Sequence, residues 1–231
     1  MSFEILSNEL VAAIFGELQS TKDLHNVSCR SRRSHELVKP FLYATFSMGQ
    51  GRQATSYFLR SLLENPQLRT YVKRLELQVP DEDRHSYHDL SILSEGSREQ
   101  LYGKILEQAL GIDFCAAWQI ELLSSHNWEA VSGVLLLLCS MNLEELETEG
   151  GPSSRIFVRE LLRLAGCGQR NRLGPAYFAK LRRFSIELDR TGGGLPLLCC
   201  ALEIKSILEF RISSFVDNNL SQHHLTHFIP P

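Results

Sequence analysis

The residues in this sequence with the chemistry to bind a metal ion are two groups of histidines. His85 and His88 lie three positions apart in an acidic stretch, and His223, His224 and His227 lie close together further along the chain. Neither group has cysteine or carboxylate ligands at a spacing that defines a metal site. Solvated imidazoles explain the pattern better, because histidine is a common surface residue that titrates near neutral pH. We therefore predict no metal and no other cofactor.

Motifs for catalysis are also missing from the sequence. The glycine-rich segment TGGGLP, residues 191–196, lacks the Lys-Ser/Thr of a P-loop and the glycine spacing of a dinucleotide-binding turn. A turn that connects a strand to a helix explains it better. The sequence has no GxSxG or HExxH motif and no cysteine–histidine pairing that indicates a triad. We predict a protein that is not an enzyme and has no catalytic residues.

A group of arginines is the strongest candidate for binding. Arg155, Arg159 and Arg163 repeat every four residues, and residues 155–183 contain eight basic residues against one acidic residue. Guanidinium groups form bidentate contacts with carboxylates and phosphates, so one interpretation is a surface for an acidic or phosphorylated substrate segment. A solvated helix face is the other. The segment lacks the alternation of basic and aromatic residues found in single-stranded nucleic-acid platforms, so no nucleic acid is expected.

Charge is distributed unevenly along the 231 residues. The formal net charge of the chain is −3, but residues 1–80 carry +3, residues 81–151 carry −11 and residues 152–231 carry +5. This asymmetry indicates either internal charge complementarity or a charged interaction surface. The hydrophobic content of 43% is enough for a sizeable core.

The cysteines and the apolar segments bear on the compartment. The chain has six cysteines without CxxC spacing, and no secretion signal precedes them. This pattern favours buried thiols in a reducing compartment over disulfides. The most apolar run, residues 134–141, is far shorter than the ~20 residues that a membrane-spanning helix needs. We expect a soluble protein of the cytoplasm or nucleus that has no membrane partner.

A repeated apolar pattern predicts the strands that must position any site. The pattern apolar-x-x-apolar-x-apolar is centred on Phe46, Leu75, Leu146, Phe184 and Phe210, at steps of 29, 71, 38 and 26 residues. The short steps match leucine-rich repeats, and the long steps imply insertions. Helix-like stretches precede the strands, which predicts parallel pairing with right-handed crossovers. The strands are expected at 73–78, 144–148, 182–188 and 208–212, in a short irregular αβ solenoid.

Two further segments and the N-terminal region complete the predicted organisation. Residues 80–97 are polar and acidic and predict an exposed loop, and a helical insertion is expected at 98–124. Three short amphipathic helices are predicted within the first 45 residues. Ser7 is placed to cap the first of them. So small a unit buries little apolar surface by itself, so we expect it to need a partner or the following domain.

The N-terminal region resembles an F-box. The resemblance lies in the segment ILSNELVAAIFGELQSTKDLHNVSCRSRRSHELVKPFLY, at residues 5–43. The residues that match the F-box pattern are Glu9, Leu10, Ile14, Phe15, Leu18, Asp23, Leu24, Val27, Ser28, Arg32, Arg33, Leu37 and Pro40. The following PFLYATFSM and LLENPQLRTYVKRLEL resemble fungal F-box proteins in which a leucine-rich-repeat-like array comes next. The resemblance implies an F-box at residues 1–45 and a leucine-rich-repeat-like substrate-binding region at 46–231.

The resemblance implies a non-catalytic substrate-recognition adaptor of an SCF-type E3 ubiquitin ligase. In that family the F-box docks on a Skp-type adaptor held by a cullin, and the repeats present a protein substrate, so that catalysis comes from proximity. The residues implied in adaptor binding are Leu6, Leu10, Ile14, Phe15, Leu18, Leu24, Val27 and Leu37. Arg30 and Ser34 stand where the family usually has apolar or aromatic residues. The alternative is therefore a repeat scaffold whose degenerate F-box acts outside a ubiquitin ligase.

Overall fold

Three short helices precede a mixed α/β unit that is built on one sheet. The computed structural model describes residues 5–18, 20–77, 93–99, 118, 120–122, 128–150, 156–166, 173–188, 194–214 and 225–228. The α-helices are α1 (Asn8–Gly16), α2 (Thr21–Ser28), α3 (Arg32–Leu42), α4 (Arg52–Glu64), α5 (Glu95–Glu99), α6 (Trp128–Cys139), α7 (Ile156–Gly166) and α8 (Leu195–Leu202). The strands are β1 (Thr45–Ser47), β2 (Arg74–Glu76), β3 (Glu145–Gly150), β4 (Arg183–Leu188), β5 (Glu209–Ser214) and β6 (Leu225–Phe228). Short 3₁₀ helices follow β1 and α4, at Met48–Gln50 and Pro66–Thr70.

Serine side chains define where the first three helices begin. Ser7, Ser20 and Ser31 each accept a hydrogen bond from the backbone amide three residues further along, at 3.4, 3.3 and 3.0 Å respectively. Each bond satisfies one of the amides that the first turn of a helix leaves without an intrahelical partner. The predicted cap at Ser7 is confirmed, and the other two caps explain why such short helices have defined starts.

The sheet is parallel over its first five strands. Strands β1 to β5 lie side by side in chain order, and each pairs in parallel with the next. The pairing places Phe46, Leu75, Leu146, Phe184 and Phe210 directly beside one another. The parallel arrangement predicted for β2, β3, β4 and β5 is confirmed. The apolar pattern did not predict β6, which pairs antiparallel with β5.

One face of the sheet is covered by the helices. The five central strand residues are buried, and they belong to one hydrophobic core with side chains from α4, α6, α7 and α8. The helix residues in this core include Leu59, Leu62, Leu135, Val158, Leu161 and Ala201. Since side chains alternate between the two faces of a strand, the residues on either side of each buried one point away from the helices. The predicted helices that alternate with strands are confirmed by this arrangement.

The predicted acidic loop and helical insertion lie mostly outside the described residues. Helix α5 begins at Glu95, so the predicted loop at 80–97 is wrong at its C-terminal end, where the chain is helical. In the insertion, Trp118 and residues 120–122 are helical, as expected. Trp118 is fully buried, and its ring meets the ring of Phe157 edge-on with centroids 4.7 Å apart. The insertion is therefore attached to the core at this point.

The cysteines are less uniformly buried than the sequence predicts. Four lie among the described residues and all four are free thiols, but Cys29 and Cys199 are exposed and Cys200 is only partly buried. Cys139 is buried at the end of α6, and burial raises the pKa of its thiol to about 12. The expectation of buried thiols is thus right for Cys139 and wrong for the exposed pair, since amphipathic helices place some of their residues in solvent. No helix in the described part of the chain has the length and apolar character needed to cross a membrane.

Candidate functional site

Helices α1, α2 and α3 have a hydrophobic core of their own. Val11 and Phe15 of α1, Leu24 of α2 and Val38 of α3 are buried together. Val11 and Phe15 lie four residues apart and so share one side of α1. This core is separate from the one beneath the sheet. The three helices therefore form a unit, which we call the N-terminal module.

Contacts at both ends hold α1 against α3. Arg33 of α3 donates a hydrogen bond from Nε to Asn8 Oδ1 at 2.9 Å and another from Nη2 to the backbone carbonyl of Leu6. At the other end of α1, a Cβ atom on Gly16 would lie 3.2 Å from the ring of Phe41. The glycine thus allows the last turn of α1 to approach α3 closely. These contacts determine which side of α1 faces inward.

Helix α1 also carries large apolar side chains that the N-terminal module does not bury. Leu10 and Ile14 are 56% and 41% exposed, and Ile5, which precedes the helix, is 85% exposed. Leu10 and Ile14 lie one turn apart on the same side of α1, and we call these two residues the α1 face. Complete burial of a Leu or Ile side chain against a partner contributes about 1.5–3 kcal/mol. The α1 face is therefore suited to an interface with another protein.

The structure divides the residues implied in adaptor binding into three groups. Phe15 and Leu24 are buried in the core of the N-terminal module, whereas Leu10 and Ile14 are exposed. The remaining ones, Leu6, Leu18, Val27 and Leu37, are partly buried and pack against that core. Spacing alone did not separate these groups, because a stripe at every fourth residue drifts around a helix of 3.6 residues per turn. Leu10 and Ile14 are four residues apart, as are Val11 and Phe15, so the local spacing does not tell which pair is buried.

The second candidate surface is the sheet face opposite the helices. Its residues alternate with the buried ones on each strand, and the parallel register arranges them in rows across the sheet. The first row is Thr45, Arg74, Glu145, Arg183 and Glu209; the second is Ser47, Glu76, Glu147, Ser185 and Arg211; the third is Glu149, Glu187 and Ser213. All are partly or fully exposed. We call these three rows the open sheet face.

Each arginine of the open sheet face forms an ion pair with a glutamate of the same face. The pairs are Arg74 with Glu76 at 2.9 Å, Arg74 with Glu147 at 3.0 Å, Arg183 with Glu145, and Arg211 with Glu209 at 2.7 Å. The hydrogen bond from Glu209 raises the pKa of the Arg211 guanidinium. Partly exposed pairs of this kind contribute about 0–1 kcal/mol each, so their main effect is to order the side chains of the face.

The charge of the open sheet face changes along the strands. The first row contains two arginines and two glutamates, the second one arginine and two glutamates, and the third two glutamates and no arginine. The formal charge of the rows therefore goes from 0 to −1 to −2 toward the carboxyl ends of β3 and β4. The sequence does not predict this surface, because cross-strand rows depend on the register, although the acidic character of residues 81–151 was a partial signal.

The arginines predicted for substrate binding lie on the helical side of the sheet. Arg155 is outside the described residues, and Arg159 and Arg163 lie on α7. Arg163 donates from Nε to Glu160 Oε2 at 2.8 Å. Both arginines lie near Cys200 of α8, where burial raises the pKa of the thiol and the two guanidinium charges oppose the rise. The structure thus brings Arg159 and Arg163 together, but not on the open sheet face, and a substrate role for them stays a prediction.

Two cavities lie beside α2 of the N-terminal module, one against the 3₁₀ helix Pro66–Thr70 and the other against β1 and α4. They measure about 490 and about 590 Å³ and share His25, Leu42 and Tyr43. In the first, Cys29 Sγ lies 3.9 Å from His25 Nε2, one helical turn away on α2. This separation is longer than the contact expected between a nucleophile and its base. The described part of the chain has no cluster of three or more His, Cys, Asp or Glu side chains suited to a metal ion.

Comparisons with known proteins do not extend this description. No protein-family model matches the chain, and no curated protein and no solved structure shows significant similarity to it. The α1 face and the open sheet face are therefore the features on which a function can be argued. The first is apolar and the second is polar and charged, and the described residues leave both accessible.

Proposed function

We propose that this protein is the non-catalytic substrate-recognition adaptor of an SCF-type ubiquitin ligase. The N-terminal module is an F-box, and the strand–helix units that follow form a leucine-rich-repeat-like αβ solenoid. One observation carries the proposal: a three-helix unit with its own core exposes Leu10 and Ile14 of α1, within a segment whose sequence resembles an F-box. The core of such a unit holds its three helices together, and the exposed apolar side chains remain available to a partner.

The partner of the α1 face is a Skp-type adaptor, which is in turn held by a cullin. Leu10 and Ile14 supply the apolar contacts of that interface. Phe15 and Leu24 support it from the core instead of touching the partner. In protein interfaces a few buried side chains account for most of the binding free energy, so losing the exposed pair should be decisive.

The open sheet face presents the protein substrate. Its rows lie on strands that the buried core holds in a fixed register, so a substrate segment bound there has a defined position on the sheet. Fixed geometry is what an adaptor contributes, because the transfer of ubiquitin is accelerated by bringing the substrate to the conjugating enzyme. The catalytic groups belong to other subunits of the ligase.

Polar residues at positions that are usually apolar favour a second candidate function. Arg30 follows α2 and is exposed, and Ser34 forms part of the polar cap of α3, where its amide donates to Ser31 Oγ at 3.0 Å. Both reduce the apolar area available to an adaptor. The alternative function is a scaffold. Such a protein uses the sheet for protein interactions but does not assemble a ligase.

Co-expression with a Skp-type adaptor, followed by affinity purification and size-exclusion chromatography, tests the proposal. The wild-type chain should elute with the adaptor. The double variant Leu10→Asp/Ile14→Asp should not, because burying two carboxylates in an apolar interface costs several kcal/mol. Phe15→Asp is unsuitable for this test, because it disrupts the core of the N-terminal module.

The matched control is Leu195→Asp/Leu202→Asp on α8. Leu195 and Leu202 are 52% and 54% exposed, similar to Leu10, and lie outside the N-terminal module. This control should bind the adaptor as the wild type does, and both double variants should unfold at nearly the wild-type temperature. If the wild-type chain fails to bind the adaptor, the scaffold becomes the better account. If Leu10→Asp/Ile14→Asp still binds, the assignment of the α1 face is wrong.

A further inference from the structure

The larger of the two cavities beside α2 is lined mainly by aromatic rings. We call this cavity of about 590 Å³ the aromatic groove, and its rings belong to Tyr43, Phe46, Tyr57 and Phe58. The rings of Phe46 and Phe58 are stacked with their centroids 3.9 Å apart, and the ring of Tyr43 lies 6.0 Å from that of Phe58. Phe46 and Phe58 are almost fully buried in the main core, so this part of the groove is held in place by close packing.

The aromatic groove is open to solvent along α4. The residues of α4 that line it lie at positions 54, 57, 58 and 61, which is the spacing of one side of a helix. Thr21 and His25, one turn apart on α2, also line it. Tyr57 is 49% exposed, although its ring belongs to the groove. A small molecule is usually enclosed almost completely by its site, so an open groove of this kind fits an extended segment of chain better.

The polar groups of the aromatic groove indicate the chemistry of that segment. Among the described residues that line the groove, none is Asp, Glu, Lys or Arg. A charged segment would lose hydration there without gaining an opposite charge, so the groove favours an uncharged one. Gln53 donates from Nε2 to the hydroxyl oxygen of Tyr57 at 3.3 Å. This bond leaves the hydroxyl proton of Tyr57 to be donated to a ligand, and the side-chain amide of Gln50 supplies further donors.

We propose that the aromatic groove binds a proline-rich segment of a partner protein. Proline rings are apolar and uncharged, and each proline keeps its carbonyl acceptor but has no backbone N–H. Such a segment therefore needs donors from its binding site, which Tyr57 and Gln50 provide. Proline-rich segments adopt an extended helix before they bind, so docking them in an aromatic-lined groove costs little conformational entropy. This site goes beyond the proposed function and does not depend on it.

Fluorescence anisotropy with a labelled deca-proline peptide tests this inference on the full chain. The wild-type protein should bind this peptide and should not bind a (Gly-Ser)₅ peptide of the same length. Because no formal charge lines the described part of the groove, the affinity should change less than about twofold between about 50 mM and about 500 mM salt. Tyr57→Ala should bind deca-proline about tenfold more weakly, since a central tyrosine often dominates an interface. Tyr57→Phe keeps the ring and loses only the hydroxyl, so it should bind about threefold more weakly.

The matched control is Leu208→Ala, which truncates a large side chain that is 48% exposed and does not line the aromatic groove. Its affinity for deca-proline should stay within about twofold of the wild type, as is usual for a surface substitution away from a binding site. Equal losses in Tyr57→Ala and Leu208→Ala, a steep dependence on salt, or no binding of deca-proline to the wild type would overturn the inference. A rise in the unfolding temperature with indole, without binding of deca-proline, would assign the groove to a small aromatic molecule instead.

Adaptor binding separates this inference from the proposed function. Tyr57→Ala should still elute with the Skp-type adaptor, and Leu10→Asp/Ile14→Asp should still bind deca-proline. A wild-type chain that binds deca-proline but not the adaptor would support the proline-rich partner and reject only the ligase function.

Discussion

Replacing Gly133 by alanine probes the packing that attaches Trp118 to helices α6 and α7. A Cβ atom at position 133 would lie 2.6 Å from Trp118 Cη2 and 2.9 Å from Phe157 Cβ. Carbon atoms in a protein interior normally approach to about 3.5–4.0 Å. The indole or the backbone of α6 must therefore move by about 1 Å. Trp118 is fully buried and Phe157 nearly so, which leaves little space for such a movement.

Two opposing effects decide the sign of the change in stability. Overpacking a well-packed core costs about 1–3 kcal/mol. Alanine in place of glycine inside a helix contributes about 1 kcal/mol in the opposite direction. Because both neighbours of Gly133 are confined, we expect the packing cost to lie in the upper part of its range. The free energy of unfolding should therefore fall by about 1–2 kcal/mol.

Urea unfolding followed by circular dichroism and tryptophan fluorescence measures this change. Gly96→Ala is the control, since a Cβ atom at Gly96 in α5 meets nothing within 4 Å. That variant should be as stable as the wild type or more stable by up to about 1 kcal/mol. A Gly133→Ala protein as stable as the wild type would show that the contact between Trp118 and α6 is not tightly packed.

Three other predictions concern the thiols and the N-terminal module. Burial raises the pKa of Cys139 from an ordinary value near 9 to about 12. The contribution of the neutral thiol to the free energy of unfolding should therefore be complete below pH 9 and be lost as the pH rises toward 12. In urea titrations at about pH 8 and about pH 10.5, the free energy of unfolding should decrease less between the two pH values for Cys139→Ala than for the wild type. In native protein at pH 8 a thiol reagent should label Cys29 and Cys199 but reach Cys139 only after unfolding; rapid labelling of Cys139 would contradict its burial. Phe15→Ala should cost about 3–5 kcal/mol of the stability of the N-terminal module, whereas Leu10→Ala should cost much less in thermal unfolding, because its side chain is largely exposed.

Local sequence patterns predicted most of the parallel sheet of this protein. The spacing of apolar residues around Leu75, Leu146, Phe184 and Phe210 was enough to predict four short strands, with helices before them and parallel pairing. The reason is physical: a buried strand and an amphipathic helix have different periods, and each period depends only on neighbouring residues. Serine caps add equally local signals at the start of the first three helices.

The tertiary structure alone decided which side chains are available for binding. The apolar stripe of α1 left it open whether Leu10 or Phe15 faces the core, and the close approach of α3 buries Phe15 and exposes Leu10. Similarly, Arg74 and Glu147 are 73 residues apart in the chain and form an ion pair because β2 and β3 lie in register. Register and helix orientation arise from contacts between distant segments, so no local pattern contains them. Both candidate surfaces, the α1 face and the open sheet face, exist because of such contacts.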